Sequence, residues 1–335
     1  MKLAVTKKEI SVLGKQVTLP WQVKGAKFEA SIPWALATIL PIIALAFIFP
    51  PALYVLITLG IVITTHEAGH FFVAKLSGMK PAEFFWGFGP EVFAIQTKNS
   101  RYGLKFISAG GYVKLEGMTS QSELPEGFDE EDSFRGASAF GRLMTILAGP
   151  FVNFFVALAA FTASALLQGA ALGQAVNHAF TQFWTLITLT LGQFWTLIQN
   201  PVGYLDDVVN NPEEVEVAFA GPKTLAAISE QAFNSGLNSS LVWLAIVSAA
   251  VGLVNLLPFP PLDGSHAVAA VFDGVTRLVT RNKNYMFNIH KLTPLAYVTI
   301  IFLGFLTVTA AIVDFQTPTA DFFSAAAATA AETSG

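Results

Sequence analysis

Apolar stretches long enough to cross a bilayer constrain this chain more than any other feature. Residues 32–49, 52–74, 143–167, 241–257 and 294–313 are each close to the ~20 residues that a tilted helix needs to span ~30 Å of hydrocarbon. The whole chain agrees: 53% of its 335 residues are hydrophobic and 13% charged, against roughly a quarter charged in a soluble domain. The fold class expected is therefore a polytopic α-helical membrane protein with about five transmembrane helices. Pro50-Pro51 separates the first two stretches, because proline lacks the amide that a continuous helix needs, so the pair reads as a tight helical hairpin.

Composition also excludes. With no cysteine, disulfides, thiolate metal sites and a cysteine nucleophile are all ruled out. A net charge of -4 and the lack of any basic run with interleaved aromatics argue against nucleic acid as a partner. The polar, lysine-dotted residues 1–27 do not read as a cleavable signal.

Lysine and arginine placement gives an orientation. The segment before the first span carries Lys2, Lys7, Lys8, Lys15, Lys24 and Lys27, which puts it in the cytoplasm. Alternation then puts 75–142 inside, 168–240 outside, 265–292 inside and the C-terminus outside. The inner loop holds Arg277, Arg281, Lys283 and Lys291, whereas the outer segment is rich in Asp and Glu. The organisation expected is thus a cytoplasmic segment 1–31, a two-helix hairpin 32–74 and a cytoplasmic region 75–142. A span 143–167, an outer segment 168–240, a span 241–264, a cytoplasmic loop 265–292, a span 293–314 and a disordered tail 315–335 follow.

Within 81–118, aromatic and β-branched residues alternate between glycine turns, as in Phe84-Phe85-Trp86-Gly87-Phe88-Gly89 and Gly110-Gly111-Tyr112-Val113-Lys114. That pattern predicts short strands or hairpins lying against the membrane. Residues 120–132, acidic and turn-rich, predict an exposed loop. In the outer segment, Gln182-Phe-Trp-Thr-Leu-Ile187 recurs as Gln193-Phe-Trp-Thr-Leu-Ile198. The spacing is close to three helical turns and suits an amphipathic helix at the interface, where Trp prefers to sit, with a further span over 174–200 as the alternative.

Chemistry concentrates in His66-Glu67-Ala68-Gly69-His70, inside the second apolar stretch. Two imidazoles four residues apart share one helical face and can chelate one zinc, while Glu67 between them can reach a water at the metal. Ionisable side chains inside an apolar span are costly unless buried against partners. A catalytic zinc needs a third protein ligand and an open fourth position. The candidate is Asp263, in Asn255-Leu-Leu-Pro-Phe-Pro-Pro-Leu-Asp-Gly264, which the topology brings to the same membrane side as His70. Its plainer role would be capping a helix over 264–277. Three prolines within four residues leave irregular backbone whose freed carbonyls could bond an extended peptide. His266 is a candidate to support the ligands from behind, His178 and His290 read as surface residues, and Asn153 as a bond between helices.

Taken together, the H-E-A-G-H helix, the Gly110 to Lys114 strand, Ala148-Gly149-Pro150-Phe-Val-Asn153, Ala220-Gly221-Pro222 and the Asn255 to Gly264 run resemble the site-2 protease family of intramembrane zinc metalloproteases, in that family's order. The resemblance covers roughly residues 66–314. It implies a zinc held by His66, His70 and Asp263, Glu67 as catalytic base, and a membrane-associated β-hairpin presenting the substrate. On this analogy Asn255 binds substrate backbone or stabilises the oxyanion, and Gly110, Gly111 and Tyr112 pair with the unwound substrate. Substrates would be single-span membrane proteins already cut elsewhere, of the kind of an anti-sigma factor or a signal-peptide remnant. The location implied is a bacterial inner membrane, in contact with lipid, with the site near the cytoplasmic face. The chain departs from the bacterial pattern in lacking a recognisable PDZ segment between its third and fourth spans, and in carrying Ala250, Ser108-Ala109 and Ser265 where other residues are common. A metal transporter or sensor would use the same ligands but needs a relay of ionisable residues in neighbouring spans, which are nearly free of them. An inactive scaffold relative would lack Glu67 or a ligand, and none is missing.

Overall fold

The computed structural model describes residues 9–12, 15–18, 27–118, 123–125, 128–210, 221–282 and 285–316. The tail from 317, Lys283, Ala220 and much of the expected 120–132 loop lie outside those residues. Elements follow the chain as β1 (Glu9–Val12), β2 (Lys15–Thr18), β3 (Lys27–Ala30), α1 (Ile32–Ile48), α2 (Pro50–Leu76), β4 (Glu83–Gln96), β5 (Arg101–Lys114) and α3 (Ala139–Leu167). The remaining helices are α4 (Leu172–Gln199), α5 (Pro201–Asn210), α6 (Pro222–Asn234), α7 (Leu237–Asn255), α8 (Asp263–Thr280) and α9 (Thr293–Gln316).

Among the described residues, four helices are long and apolar enough to cross a membrane, lying over 50–76, 139–167, 237–255 and 289–312. Five were expected. The difference is α1, whose 17 residues reach only about 25 Å at 1.5 Å per residue, short of the hydrocarbon layer. Pro50 opens α2, where a missing amide costs nothing, and the preceding helix ends there. The loop expected over 265–292 is a second difference, because its residues 265–280 belong to α8. Ala267 and Ala270 bury one face while Val268, Val271, Phe272 and Val275 stay exposed, the signature of an amphipathic helix. Residues 168–240, expected to lie outside, contribute three helices among the described residues, α4 to α6, where one was expected. α4 carries the Phe-Trp repeat with Trp184 and Trp195 exposed, and its Asn, Gln, His and Thr side chains keep it out of the span-length apolar set.

The chain divides into two compact units. The first comprises Met1–Ile48, Leu59–Val152 and Asn255–Thr293. Its sheet bears out the strands expected over 81–118. β3 pairs antiparallel with the end of β4, Phe28 opposite Ile95. β4 and β5 form a hairpin that doubles back on itself: Ile95 faces Tyr102 and Phe93 faces Leu104 near the turn, and Phe85 faces Tyr112 at the far end. Phe84 also pairs with Tyr102 and Trp86 with Leu104 in parallel sense, so residues 83–86 lie between the two halves of β5. Gly103 permits this fold, since a side chain there would meet the Phe93 carbonyl oxygen at 2.2 Å. α1 packs on the sheet through Trp34 and Phe106, with ring centroids 5.2 Å apart. Ser138 starts α3, its hydroxyl oxygen accepting the Gly141 N–H at 3.0 Å. Ala74, Met79, Phe134, Ala137, Ile146, Ala267 and Ala270 form the core joining α2, α3 and α8.

The second unit comprises Phe49–Thr58, Asn153–Val254 and Pro294–Gly335. Its core places Ala157, Ala160 and Phe161 against Ala179 and against Ala245 and Ala249, small residues that let helix backbones approach closely in lipid. Two hydrogen bonds tie buried polar groups across helices: Trp243 donates from Nε1 to Thr58 Oγ1 at 3.1 Å, and Ser248 donates to the Asn153 carbonyl at 2.9 Å. Asn153, read as a bond between helices, is fully buried at that contact.

Candidate metal centre

All the groups that carry the site belong to the first unit. One turn of α2 separates His66 from His70, so both imidazoles leave the same face, with ring centroids 4.8 Å apart. Their Nε2 atoms stand 3.1 Å from each other, and Asp263 Oδ2 lies 2.9 Å from that of His66 and 3.2 Å from that of His70. Among the described residues these three form the one group of His, Asp or Glu that converges as a metal site would. Asp263 is the first residue of α8, with Leu262 in the cap position, so its carboxylate serves the histidines rather than capping the helix.

The donor set fits zinc. His70 Nδ1 faces the Thr145 carbonyl at 2.8 Å. A carbonyl only accepts, so Nδ1 carries the proton and Nε2 presents its lone pair. Lone pairs of imidazole and carboxylate this close repel unless a cation or proton lies among them. Tetrahedral zinc with bonds of ~2.0–2.1 Å separates its ligand atoms by about 3.3 Å, near the spacing found here.

Glycines make the convergence fit. A side chain at Gly149 on α3 would meet His70 Nε2 at 2.4 Å and His66 Nε2 at 2.7 Å. A side chain at Gly69 would meet the Ala148 carbonyl oxygen at 2.7 Å, so α2 and α3 approach through two glycines. Pro150 opens the amide ladder of α3 next to Thr145, since it has no N–H for the carbonyl four residues back. On the other side, a side chain at Gly264 would meet the Leu256 and Leu257 carbonyl oxygens at 2.3 Å each. Glycine there lets the proline-rich turn fold onto the start of α8 and deliver Asp263.

Beside the donors lies a cavity of about 200 Å³ walled in part by Glu67, His70, Tyr112, Val113, Thr145, Asp263 and His266. β5 passes close to α2 here: the position a Gly111 side chain would take is 3.5 Å from Glu67 Cγ. Tyr112 stacks on Phe85 and Phe88 and donates its hydroxyl to Glu83 at 2.5 Å. Of the residues expected at the site, His66, Glu67, His70, Asp263, Gly111, Tyr112 and His266 are thus brought together, and Gly110 adjoins them in β5. Asn255 closes α7 and is not among the residues that wall the cavity. His178 and His290 are exposed, as surface residues should be. Thr145 and the steric part of Gly149 escaped the sequence reading. A glycine in an apolar helix, facing another helix with its own glycine, was the available signal for the second; a backbone carbonyl leaves none.

Comparison with known proteins gives the same direction. The sequence model of peptidase family M50 matches residues 54–297. A protein of Fusobacterium nucleatum described as a zinc metalloprotease is 38% identical over 117 residues, 35% of this chain and 33% of that one. One of Clostridium acetobutylicum, similarly described, is 24% identical over 298 residues, covering 66% of this chain and 86% of the relative. A zinc metalloprotease of Mycobacterium tuberculosis is 36% identical over 118 residues, 34% of this chain and 29% of its own length. The match thus spans about a third of the fusobacterial and mycobacterial relatives and most of the clostridial one. With a family match over most of its length, span-length apolar helices and a two-histidine, one-carboxylate donor set, the chain is an integral membrane protein and belongs to peptidase family M50, the site-2 protease family of zinc metalloproteases.

Proposed function

We propose that this protein hydrolyses peptide bonds within the membrane-spanning segment of single-span proteins, with His66, His70 and Asp263 holding the zinc and Glu67 as the catalytic base. The observation that carries the proposal is the position of Glu67, in the helix of the two histidines, on the wall of a cavity shared with β5. When bound, zinc supplies Lewis acidity, which polarises a carbonyl and makes water acidic near neutral pH. Glu67 takes the proton from the attacking water as the new C–O bond forms, then returns it to the amide nitrogen as the C–N bond breaks. Thr145 holds His70 in the tautomer that leaves Nε2 free. Gly110, Gly111 and Tyr112 guide an extended substrate past Glu67, main chain to main chain. A helical substrate must unwind first, because inside a helix its carbonyl is already hydrogen-bonded. The charge pattern supports a site near the cytoplasmic face, and the bacterial relatives support a bacterial inner membrane. Substrates of this chemistry include a trimmed anti-sigma factor or a signal-peptide remnant, cut after a first cleavage elsewhere.

Co-expression of the chain, and separately of Glu67→Gln, with a tagged single-span substrate trimmed of its outer domain tests this. Mass spectrometry should find fragments ending within the span for the first and none for the second. Equal cleavage by both would remove Glu67 from the role of base. Zinc content by elemental analysis should fall in His66→Ala and Asp263→Ala and persist in Glu67→Gln.

A further inference from the structure

Beyond the ligands, one charged pair is buried among the described residues of the first unit. Arg142 on α3 and Asp273 on α8 meet at 3.0 Å with side chains 0% and 4% exposed. The second oxygen of Asp273 accepts the Phe287 N–H at 2.6 Å, while Nε and Nη2 of Arg142 have no hydrogen-bond partner among the described residues. Stability does not explain such a pair. Desolvating two charges costs more than an incompletely satisfied contact returns, and well-packed apolar side chains serve a core as well or better. Position explains it. Arg142 lies one turn before Thr145, whose carbonyl holds His70, and Asp273 lies about three turns along the helix that begins with Asp263. α8 reaches the site out of an irregular proline turn, so the bearing of Asp263 has to be set by something farther along the helix.

We infer that the Arg142–Asp273 pair is a positioning device for the metal centre: it fixes α8 to α3, so that Asp263 and His70 are held at ligand spacing before zinc arrives. The inference rests on the ligand assignment proposed above. Directional partners can do this where apolar contacts cannot, since alanines such as Ala267 and Ala270 let a helix slide or turn at little cost.

The test uses the full chain in detergent, measuring zinc affinity by competition with a chromogenic chelator and the melting of the metal-free protein. Arg142→Met and Asp273→Asn should each lower the melting of the metal-free protein, because a buried charge is left alone, and should also raise the zinc dissociation constant about tenfold or more, in the range that groups supporting metal ligands command. The double variant, Arg142→Met with Asp273→Asn, leaves no charge unpaired and keeps an acceptor for the Phe287 N–H, so metal-free melting should return toward wild type while the dissociation constant stays raised about tenfold. Wild-type zinc affinity in the single variants would overturn the inference, as would a double variant in which affinity recovers together with metal-free melting. Should the single variants fail to fold, Asp273→Glu, which keeps the charge and alters the reach, decides: unchanged affinity overturns the inference, a tenfold loss sustains it. Asp263→Asn is the control; if it binds zinc like wild type, the ligand assignment has failed rather than the positioning device.

Discussion

The two halves of the donor set are built on different principles. His66 and His70 need only the helix they share, because its pitch puts them on one face whatever surrounds them. Asp263 arrives from nearly two hundred residues away, after a turn of prolines that no regular ladder can hold. The first half is local and the second is tertiary. They differ accordingly in what can damage them: the histidines fail when something pushes into their face, and the aspartate fails when its approach is misdirected.

Gly149→Ala should therefore be the most severe change. Its methyl would sit 2.4 Å from the His70 donor atom, so zinc binding by both histidines should be lost, with activity down at least a hundredfold, read by elemental analysis and peptide cleavage. Retained stoichiometric zinc would mean that α3 can withdraw without harm and that the close approach is incidental. Gly264→Ala comes next. Two carbonyl oxygens at 2.3 Å leave no room for a methyl, so the turn shifts and zinc affinity should weaken about ten- to a hundredfold, while His66 and His70 still hold metal weakly. An equal loss from both substitutions would erase the distinction between local and tertiary halves.

Trp243→Phe sharpens the comparison from the other unit. It removes the hydrogen bond to Thr58, which should cost about 1 kcal/mol in unfolding measurements and leave zinc stoichiometry unaltered. Smallest of all, Arg135→Ala breaks a contact with Glu130, which is 56% exposed. Pairs of that kind contribute ~0–1 kcal/mol, so melting should barely move.

The local half was also the legible half. Two histidines and a glutamate at helical spacing inside an apolar run announce themselves, because regular geometry converts spacing into proximity. Asp263 was legible for another reason: a lone acid at the membrane end of a span, behind prolines, has few uses. The strands over 81–118 showed through alternation, yet the way residues 83–86 insert between both halves of β5 did not, since pairing partners leave no periodic trace. α8 was read mainly as loop because its buried residues, Gly264, Ser265, Ala267, Ala270 and Asp273, carry little apolar signal. α1 was read as a span from its composition; the fall below span length came from where the proline pair cut it. Thr145 could not be read at all, because its contribution is a backbone oxygen shared by every residue type.

The hydrogen bond from His70 to Thr145 has a further consequence, for charge. It fixes the tautomer whose free Nε2 would take a metal, and a ligating imidazole is neutral, so under the proposed assignment the carboxylates of Asp263 and Glu67 would match a divalent cation, two charges against two. A balanced cluster crosses into a medium of low dielectric at far smaller cost than any of its members alone. That is how four ionisable side chains can be tolerated around a single turn of an apolar helix. On the proposed role of Glu67 as base, its taking up a proton would leave one positive charge in excess, where an anion would be welcome.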